Sequence, residues 1–459
     1  MQVNFFYEEI QLHNAIKLWH NHLDNPLQGR LMNFSHICVI GLGYIGLPTA
    51  SMFAHKKVKV TGVDNNPHVI DTLRKGKVHI YEPGLREVVE DVIKSGWLQI
   101  ETKPVEADVF IIAVPTPFYD NKKADLSYVR SAAESIVPVL RSGNLVVLES
   151  TSPPLTTREV VLPILETSGL KAGKDFLLAY SPERVLPGQI LKELVENARV
   201  IGGINDASAR AGKSLYSLIV KGEIILTDAT TSEMVKLMEN TYRDVNIAIA
   251  NEFSRLADRF EVDIWEAVEI ANRHPRVKIL SPGPGVGGHC ISVDPWFLVE
   301  AAPDLTPLIN TARKVNDSQP AFVTRSLKQI AGDLKGKEIA ALGLAYKPDV
   351  DDVRESPAVE VVHTLIEEGA LVSTYEPFRV EYAIKGAIAA HTLKEAIKEA
   401  EIILLLVGHS SFKQLDPSEV IGQTSARLVF DTVNCVKRSE WRAAGFRLEK
   451  LGDRKNLVK

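Results

Sequence analysis

Short apolar runs, each closed by glycine, proline or small polar residues, alternate with longer amphipathic stretches over most of the chain. That alternation predicts parallel strands joined by helices. The first apolar run is His36–Ile40. A GLGYIG turn follows it, then a predicted helix over residues 44–55 and a second strand over 58–63 that ends in Asp64. Further strands are expected at 109–114, 145–148, 176–180 and 199–201. From about Thr230 the pattern changes. TSEMVKLMENTYRDVNIAIANEFSRLADRF has neither proline nor glycine and keeps a helical period. One long helix is expected there, starting at a Thr/Ser cap with Glu233 behind it and burying Met234, Leu237, Met238, Ile247, Ile249 and Phe253. Shorter helices are expected at 264–272 and 308–315, and a second βα series over 336–435. The predicted fold is α/β: two doubly wound Rossmann-like domains joined by a long central helix and a helical dimerisation region. The expected boundaries are 32–210, 211–320 and 321–459. Residues 1–31 form a separate extension, with an amphipathic helix around Ile10, Leu12, Ile16 and Leu18 and no assigned role.

Length and composition narrow the classes. A chain of 459 residues is too long for one core. It is 45% hydrophobic and 24% charged, with a net charge of −5 and no block of like charge, so nothing suggests a nucleic-acid partner. The three cysteines, Cys38, Cys290 and Cys435, are far apart and show no CxxC spacing. That argues against a disulfide framework or a metal site and fits a reducing compartment. No apolar run approaches the ~18 residues of a membrane span, and the N-terminus lacks a signal pattern, so a cytoplasmic protein is expected.

Two stretches carry chemistry. Gly41, Gly43 and Gly46 form GxGxxG between strand and helix, and Asp64 ends the second strand. A pyrophosphate would lie on the helix N-terminus, and the aspartate would bond both ribose hydroxyls while repelling a 2′-phosphate, which favours NAD. Thr116, Glu149, Ser150, Thr151 and Glu183 follow strand ends, where ligands of such sheets bind. For Thr116, Ser150 and Thr151, ordinary turn chemistry is the competing reading. The second stretch is GPGVGGHCISVD, residues 283–294. Its glycines demand a loop, a thiol (Cys290) ends the loop, and Asp294 follows. The thiol is either a buried structural cysteine or a nucleophile above a ligand. Lys236, Asn240 and Asp244 share one face of the long helix, either as a solvated stripe or as a site. Lys347, Asp351, Asp352 and Arg354 follow the first strand of the second series. They make either a charged surface loop or a seat for a phosphorylated ligand.

GLGYIGLP, VPTPF, EST, SPERVLPG, KLMENTYRDVNIA, GPGVGGHC and GLAYKPDVDDVRESP, in this order from about residue 33 to 435, resemble the successive motifs of the UDP-glucose/GDP-mannose dehydrogenase family. The UDP-glucose branch has Ser before the thiol and Phe-Gln-Lys after it. Here His289 and Ile-Ser-Val stand there, and with ANRHPRV they resemble the branch acting on UDP-N-acetyl-D-mannosamine. His289 either lowers the thiol's pKa or packs locally. The resemblance implies a four-electron oxidation at C6 with two NAD and one water. Cys290 would be the nucleophile, with Lys236, Asn240, Asp294, Glu183 and Thr116 as the other catalytic residues. It implies a cofactor set of Gly41, Gly43, Tyr44, Ile45, Gly46, Asp64, Thr116 and Thr151. It also implies a UDP-sugar set of Arg184, Arg243, Arg276, Gly287, Lys347 and Arg354, with Arg276 reaching in from a neighbouring subunit of a homodimer or larger homo-oligomer. Cys38 and Cys435 are expected to be structural. Two other uses fit the pattern: the same chemistry on UDP-N-acetylglucosamine or another UDP-sugar, and a nucleotide-binding regulator without catalysis.

Overall fold

The computed structural model describes residues 34–288 and 290–455. The expected N-terminal helix and His289 lie outside them. The first sheet has eight strands: β1 (His36–Ile40), β2 (Lys59–Val63), β3 (Leu98–Glu101), β4 (Val109–Ile112), β5 (Leu145–Leu148), β6 (Leu177–Tyr180), β7 (Arg199–Gly203) and β8 (Ile224–Asp228). Their order is β3-β2-β1-β4-β5-β6-β7-β8. Every pair is parallel except β6 with β7. This sheet runs to Asp228, past the boundary expected at 210. Both faces are covered, which is why its strands read as unbroken apolar runs. In β1, Ile37 and Val39 join one core and Cys38 and Ile40 the other, so Cys38 is structural core.

The second sheet is wholly parallel, in the order β11-β10-β9-β12-β13-β14. Its strands are β9 (Glu338–Leu342), β10 (Leu371–Tyr375), β11 (Ile388–Ala389), β12 (Ile402–Leu405), β13 (Leu428–Asp431) and β14 (Arg447–Lys450). The strand order reverses between β1 and β4 and again between β9 and β12. A ligand crevice opens beyond the carboxyl ends of the strands at such switch points.

The helix Ala229–Phe260 joins the two halves. Its cap is Asp228, whose side chain accepts the Thr231 N–H at 3.0 Å, and not the expected Thr/Ser pair. Glu233 does not cap its own helix. It is buried and reaches into the first domain, accepting the Leu155 N–H (2.7 Å), the Thr157 N–H (2.8 Å) and the Thr157 hydroxyl (2.6 Å). Asp244 turns away from Lys236 to a buried pair with Arg313 of the helix Pro307–Asp317 (2.5 Å). Asn316 donates to the same carboxylate at 2.8 Å, and Asn251 donates to Asn316 at 2.9 Å. Leu237 is core, but Met238, Ile249 and Phe253 are exposed, against expectation. Periodicity identifies an apolar stripe without saying whether the same chain covers it.

Candidate active site

The first crevice fits a dinucleotide. Gly46 packs so closely on the turn that an added Cβ would sit 1.8 Å from the Gly41 carbonyl oxygen. Gly41 holds φ +94°, a conformation side chains disfavour. At Gly43 a Cβ would meet nothing within 4 Å, so the space beside it is free for a pyrophosphate. Ile45 occupies the cap position of the helix Gly46–His55 and supplies no side-chain bond to its N–H groups, which suits an anion there. Asp64 is half-buried and held by the N–H groups of Leu42 and Asn66, both at 2.9 Å. Each of its oxygens accepts one protein bond and keeps capacity for a ribose hydroxyl. The Thr116 hydroxyl donates to the Thr151 carbonyl at 2.6 Å and ties together the loops after β4 and β5.

The thiol loop lies where the long helix meets the second sheet's domain. The Gly283 N–H donates to Asn251 of the long helix at 3.0 Å. On the other side, a Cβ on Gly287 would lie 2.3 Å from the Glu355 carbonyl oxygen, and one on Gly288 would lie 2.7 Å from the Tyr346 ring. Cys290 is exposed to solvent, so it is not the buried structural cysteine. Its carbonyl accepts the Asp294 N–H at 2.8 Å. One turn therefore joins the thiol to Asp294, the first residue of the helix Asp294–Ala301. Asp294, Lys236 and Asn240 are all buried, and Asn240 donates to the Asp294 carboxylate at 2.5 Å.

The electrostatics follow from that packing. Burial pushes Asp294 up to about 6, against the opposing pull of the Lys236 ammonium and the Asn240 bond. Protein surrounds the thiol although solvent reaches it, as at the floor of a cleft. Desolvation raises its pKa, Lys236 and Arg354 lower it, and Asp294 and Asp352 raise it. Lys236, Asp294, Asp352 and Arg354 thus act on one point.

The other expected residues are less uniform. Glu183 is buried and accepts from Arg199 (3.0 Å) and from the Arg184 N–H (2.8 Å). Arg199 also donates to Glu149 at 2.6 Å and lies 3.8 Å over the Tyr216 ring. Burial pushes Glu149 up to about 7 despite that arginine. Arg184 forks onto Glu239 of the long helix. Lys347 donates to the Pro187 carbonyl at 2.7 Å, and Arg243 is close enough to oppose its charge. Tyr44 bonds Asp351 at 3.3 Å and lies 5.1 Å from the Arg354 guanidinium, so the pyrophosphate turn touches the second domain. Arg354 itself forks onto Asp352. Arg276 is exposed, and the groups acting on Cys290, Asp294 and Lys347 do not include it. Two residues went unread. Tyr346 packs on the thiol loop, and Tyr180 buries a hydroxyl that has no partner among the described residues. Their position after β9 and at the end of β6 was the available signal.

Models of one family cover nearly all of the described chain. They are the NAD binding domain (35–220), central domain (230–318) and UDP binding domain (340–438) of the UDP-glucose/GDP-mannose dehydrogenase family. The chain belongs to the UDP-glucose/GDP-mannose dehydrogenase family. It is an NAD-dependent nucleotide-sugar dehydrogenase. A UDP-N-acetyl-D-mannosamine dehydrogenase of Methanocaldococcus jannaschii is 49% identical over 92% of this chain and 97% of its own. An NDP-N-acetyl-D-galactosaminuronic acid dehydrogenase of Ralstonia nicotianae is 47% identical over 87% and 96%. The solved UDP-N-acetyl-mannosamine dehydrogenase Cap5O of Staphylococcus aureus superposes with a TM-score of 0.84 at 45% identity, covering 92% of this chain and all of that one. Among the described residues no helix is long and apolar enough to cross a membrane.

The glycine geometry separates two variants. Gly43→Ala should fold with an unchanged Tm yet weaken NADH at least about tenfold, because its methyl enters space reserved for the cofactor. Gly46→Ala should lower Tm as well, because its methyl collides with the Gly41 carbonyl. Thermal melts and NADH fluorescence titration read both outcomes.

Proposed function

We propose that this dehydrogenase oxidises the C6 alcohol of UDP-N-acetyl-D-mannosamine to the carboxylate, a four-electron reaction that supplies a uronic acid for a surface polysaccharide. The carrying observation is an accessible thiol, Cys290, one turn from a buried carboxylate that Asn240 and Lys236 attend. A two-electron alcohol dehydrogenase needs no thiol there. Bound NAD supplies the two-electron acceptor for each stage. The first stage removes two hydrogens and leaves an aldehyde. Cys290 forms a C–S bond to C6, giving a thiohemiacetal that still has a hydrogen on carbon to lose. The second stage makes a thioester. Water then adds, the C–S bond breaks, and the thiol is regenerated.

Lys236 stabilises negative charge on the C6 oxygen, and Asn240 has a second N–H to add. Asp294 orients water and moves protons. Glu183, its direction fixed by Arg199, is the base for the hydrolytic water. Thr116 steadies the strand-end loops beside the reacting carbon. Lys347, Arg354, Arg184 and Arg243 seat the nucleotide, and Gly287 lets the loop backbone come close. The sugar is supported by relatives named for UDP-N-acetyl-D-mannosamine and by the Ile-Ser-Val run after the thiol. The Ralstonia relative keeps an N-acetylgalacto sugar as the second reading.

A homodimer is part of this reading. The end of the long helix and the helix Ile264–Ala271 flank an open apolar groove of about 260 Å³, lined by Phe253, Leu256, Phe260, Val268 and Ile279. Phe260 is 70% exposed and Met238 58% exposed in the single chain. A second copy would cover them and bring Arg276 to its partner's site.

Three measurements test the reading. Two NADH should form per UDP-N-acetyl-D-mannosamine consumed, with little turnover of UDP-N-acetylglucosamine, UDP-N-acetylgalactosamine or UDP-glucose, and none in Cys290→Ala. One NADH per sugar, insensitive to that substitution, would overturn the mechanism. Turnover should also fall as pH drops through about 6, where Asp294 loses its charge; Asp294→Asn, slower throughout, should lack that acid limb. In sedimentation, the wild type should run near twice 50.7 kDa and Phe260→Asp as the single chain.

A further inference from the structure

The two sheets begin with the same turn. In the first, Gly41 (φ +94°) follows β1 and donates its N–H to the Val63 carbonyl. Next along the chain, the Leu42 N–H meets the Asp64 carboxylate, and that carboxylate also takes the N–H of Asn66 two residues on. In the second, Gly343 (φ +88°) follows β9 and donates to the Tyr375 carbonyl. The Leu344 N–H meets the Glu376 carboxylate at 2.7 Å, and Glu376 also takes the N–H of Phe378 two residues on, at 3.0 Å. Both carboxylates stand just past the end of the second strand of their series. In the first domain this is the group that fits a ribose.

Here the likeness stops. Asp64 is half-buried and keeps free acceptor capacity, whereas Glu376 is 2% exposed. Its Oε2 accepts from Leu344, from Ala345 (2.9 Å) and from Nε2 of His409 (3.1 Å). His409 is fully buried, beyond the end of β12, and its ring takes up the Glu376 oxygen that also holds the Leu344 N–H. Its Nδ1 accepts the Asp349 N–H at 2.9 Å, which puts the ring proton on Nε2, facing the carboxylate. Phe378 and Phe412 hold the ring from two sides, each with its centroid 5.3 Å away. Asp349 is further anchored by the N–H and hydroxyl of Ser410. The residues between Ala345 and Asp349 include Tyr346, which packs on the thiol loop, and Lys347.

We infer that His409 is a positioning residue for the nucleotide-sugar site. It takes the carboxylate that a dinucleotide-binding domain offers to ribose and makes it one end of a strut, Glu376–His409–Asp349, that fixes the loop bearing Tyr346 and Lys347. The strut also closes this crevice to a second dinucleotide. This inference rests on the reading of Lys347 as a nucleotide-seating residue.

The test uses UDP and NADH as separate probes on the full chain. His409→Ala should raise the Kd for UDP about tenfold, as expected for a ligand-bearing loop that has lost a buried hydrogen bond, and leave that for NADH within about twofold. KM for the UDP-sugar should rise with it, while kcat changes less. His409→Asn, which keeps one donor and one acceptor, should recover part of the loss. If His409→Ala does not fold, Glu376→Gln carries the test, because its amide has one accepting oxygen where the carboxylate has two, with the same selective loss expected. Lys347→Ala is the separating control. Unchanged UDP binding there defeats the reading of Lys347, whatever His409 does. A normal Kd for UDP in a folded His409→Ala or Glu376→Gln variant, with Lys347→Ala impaired, overturns the strut. Equal weakening of UDP and NADH also overturns it, because that is what general loosening would do.

Discussion

Backbone pressed against backbone between Gly287 and Glu355 is the contact on which the rest of the site depends. The thiol loop has no regular structure of its own. Asn251 fastens one side of it, and the second domain's loop stops the other. Only a chain without side chains passes that gap, so Gly287 and Gly288 are a steric requirement of the assembled protein. Residues from both sides of the gap then act on the thiol: Lys236 and Asp294 from one, Arg354 and Asp352 from the other.

Charge is handled differently at two buried acidic centres near the strand ends and the thiol. Asp294 sits with an amide and an ammonium, and burial still dominates, leaving it poised near neutrality. Glu149 and Glu183 share one guanidinium, which stacks on Tyr216 and bonds both. A buried cation between two carboxylates satisfies its donors at fixed angles, and that fixes the direction of the Glu183 carboxylate.

Much of this was readable beforehand where each residue answers a local demand. Gly41, Gly46 and Asp64 do so within one strand–turn–helix unit, and Cys290 and Asp294 within one turn. The double βα alternation likewise announces two sheets, because strands buried on both faces leave unbroken apolar runs. What could not be read lies between distant segments. Glu233 serves a turn of the first domain and not its own helix. Asp244 prefers Arg313 to Lys236, and Glu183 has a guanidinium partner that arrives on the next strand but with no sequence period to mark it. Met238, Ile249 and Phe253 have the right period for core yet face outward, since a hydrophobic stripe does not say which chain will cover it. His409 ended an apolar run and looked like any strand terminus; its meaning appears only beside Glu376.

The long helix has one consequence for how such enzymes diversify. Lys236 and Asn240 ride on it, and the segment from Cys290 to Asp294 is bound to it through the adjoining helix. Lys236, Asn240, Cys290 and Asp294 therefore belong to the central segment and to neither sheet domain. A lobe that tilts, or one exchanged for a lobe reading a different nucleotide, leaves their mutual geometry intact so long as the glycine gap still closes. The thiol, the lysine and the carboxylate are thus kept in register by one helix, independently of what either sheet binds.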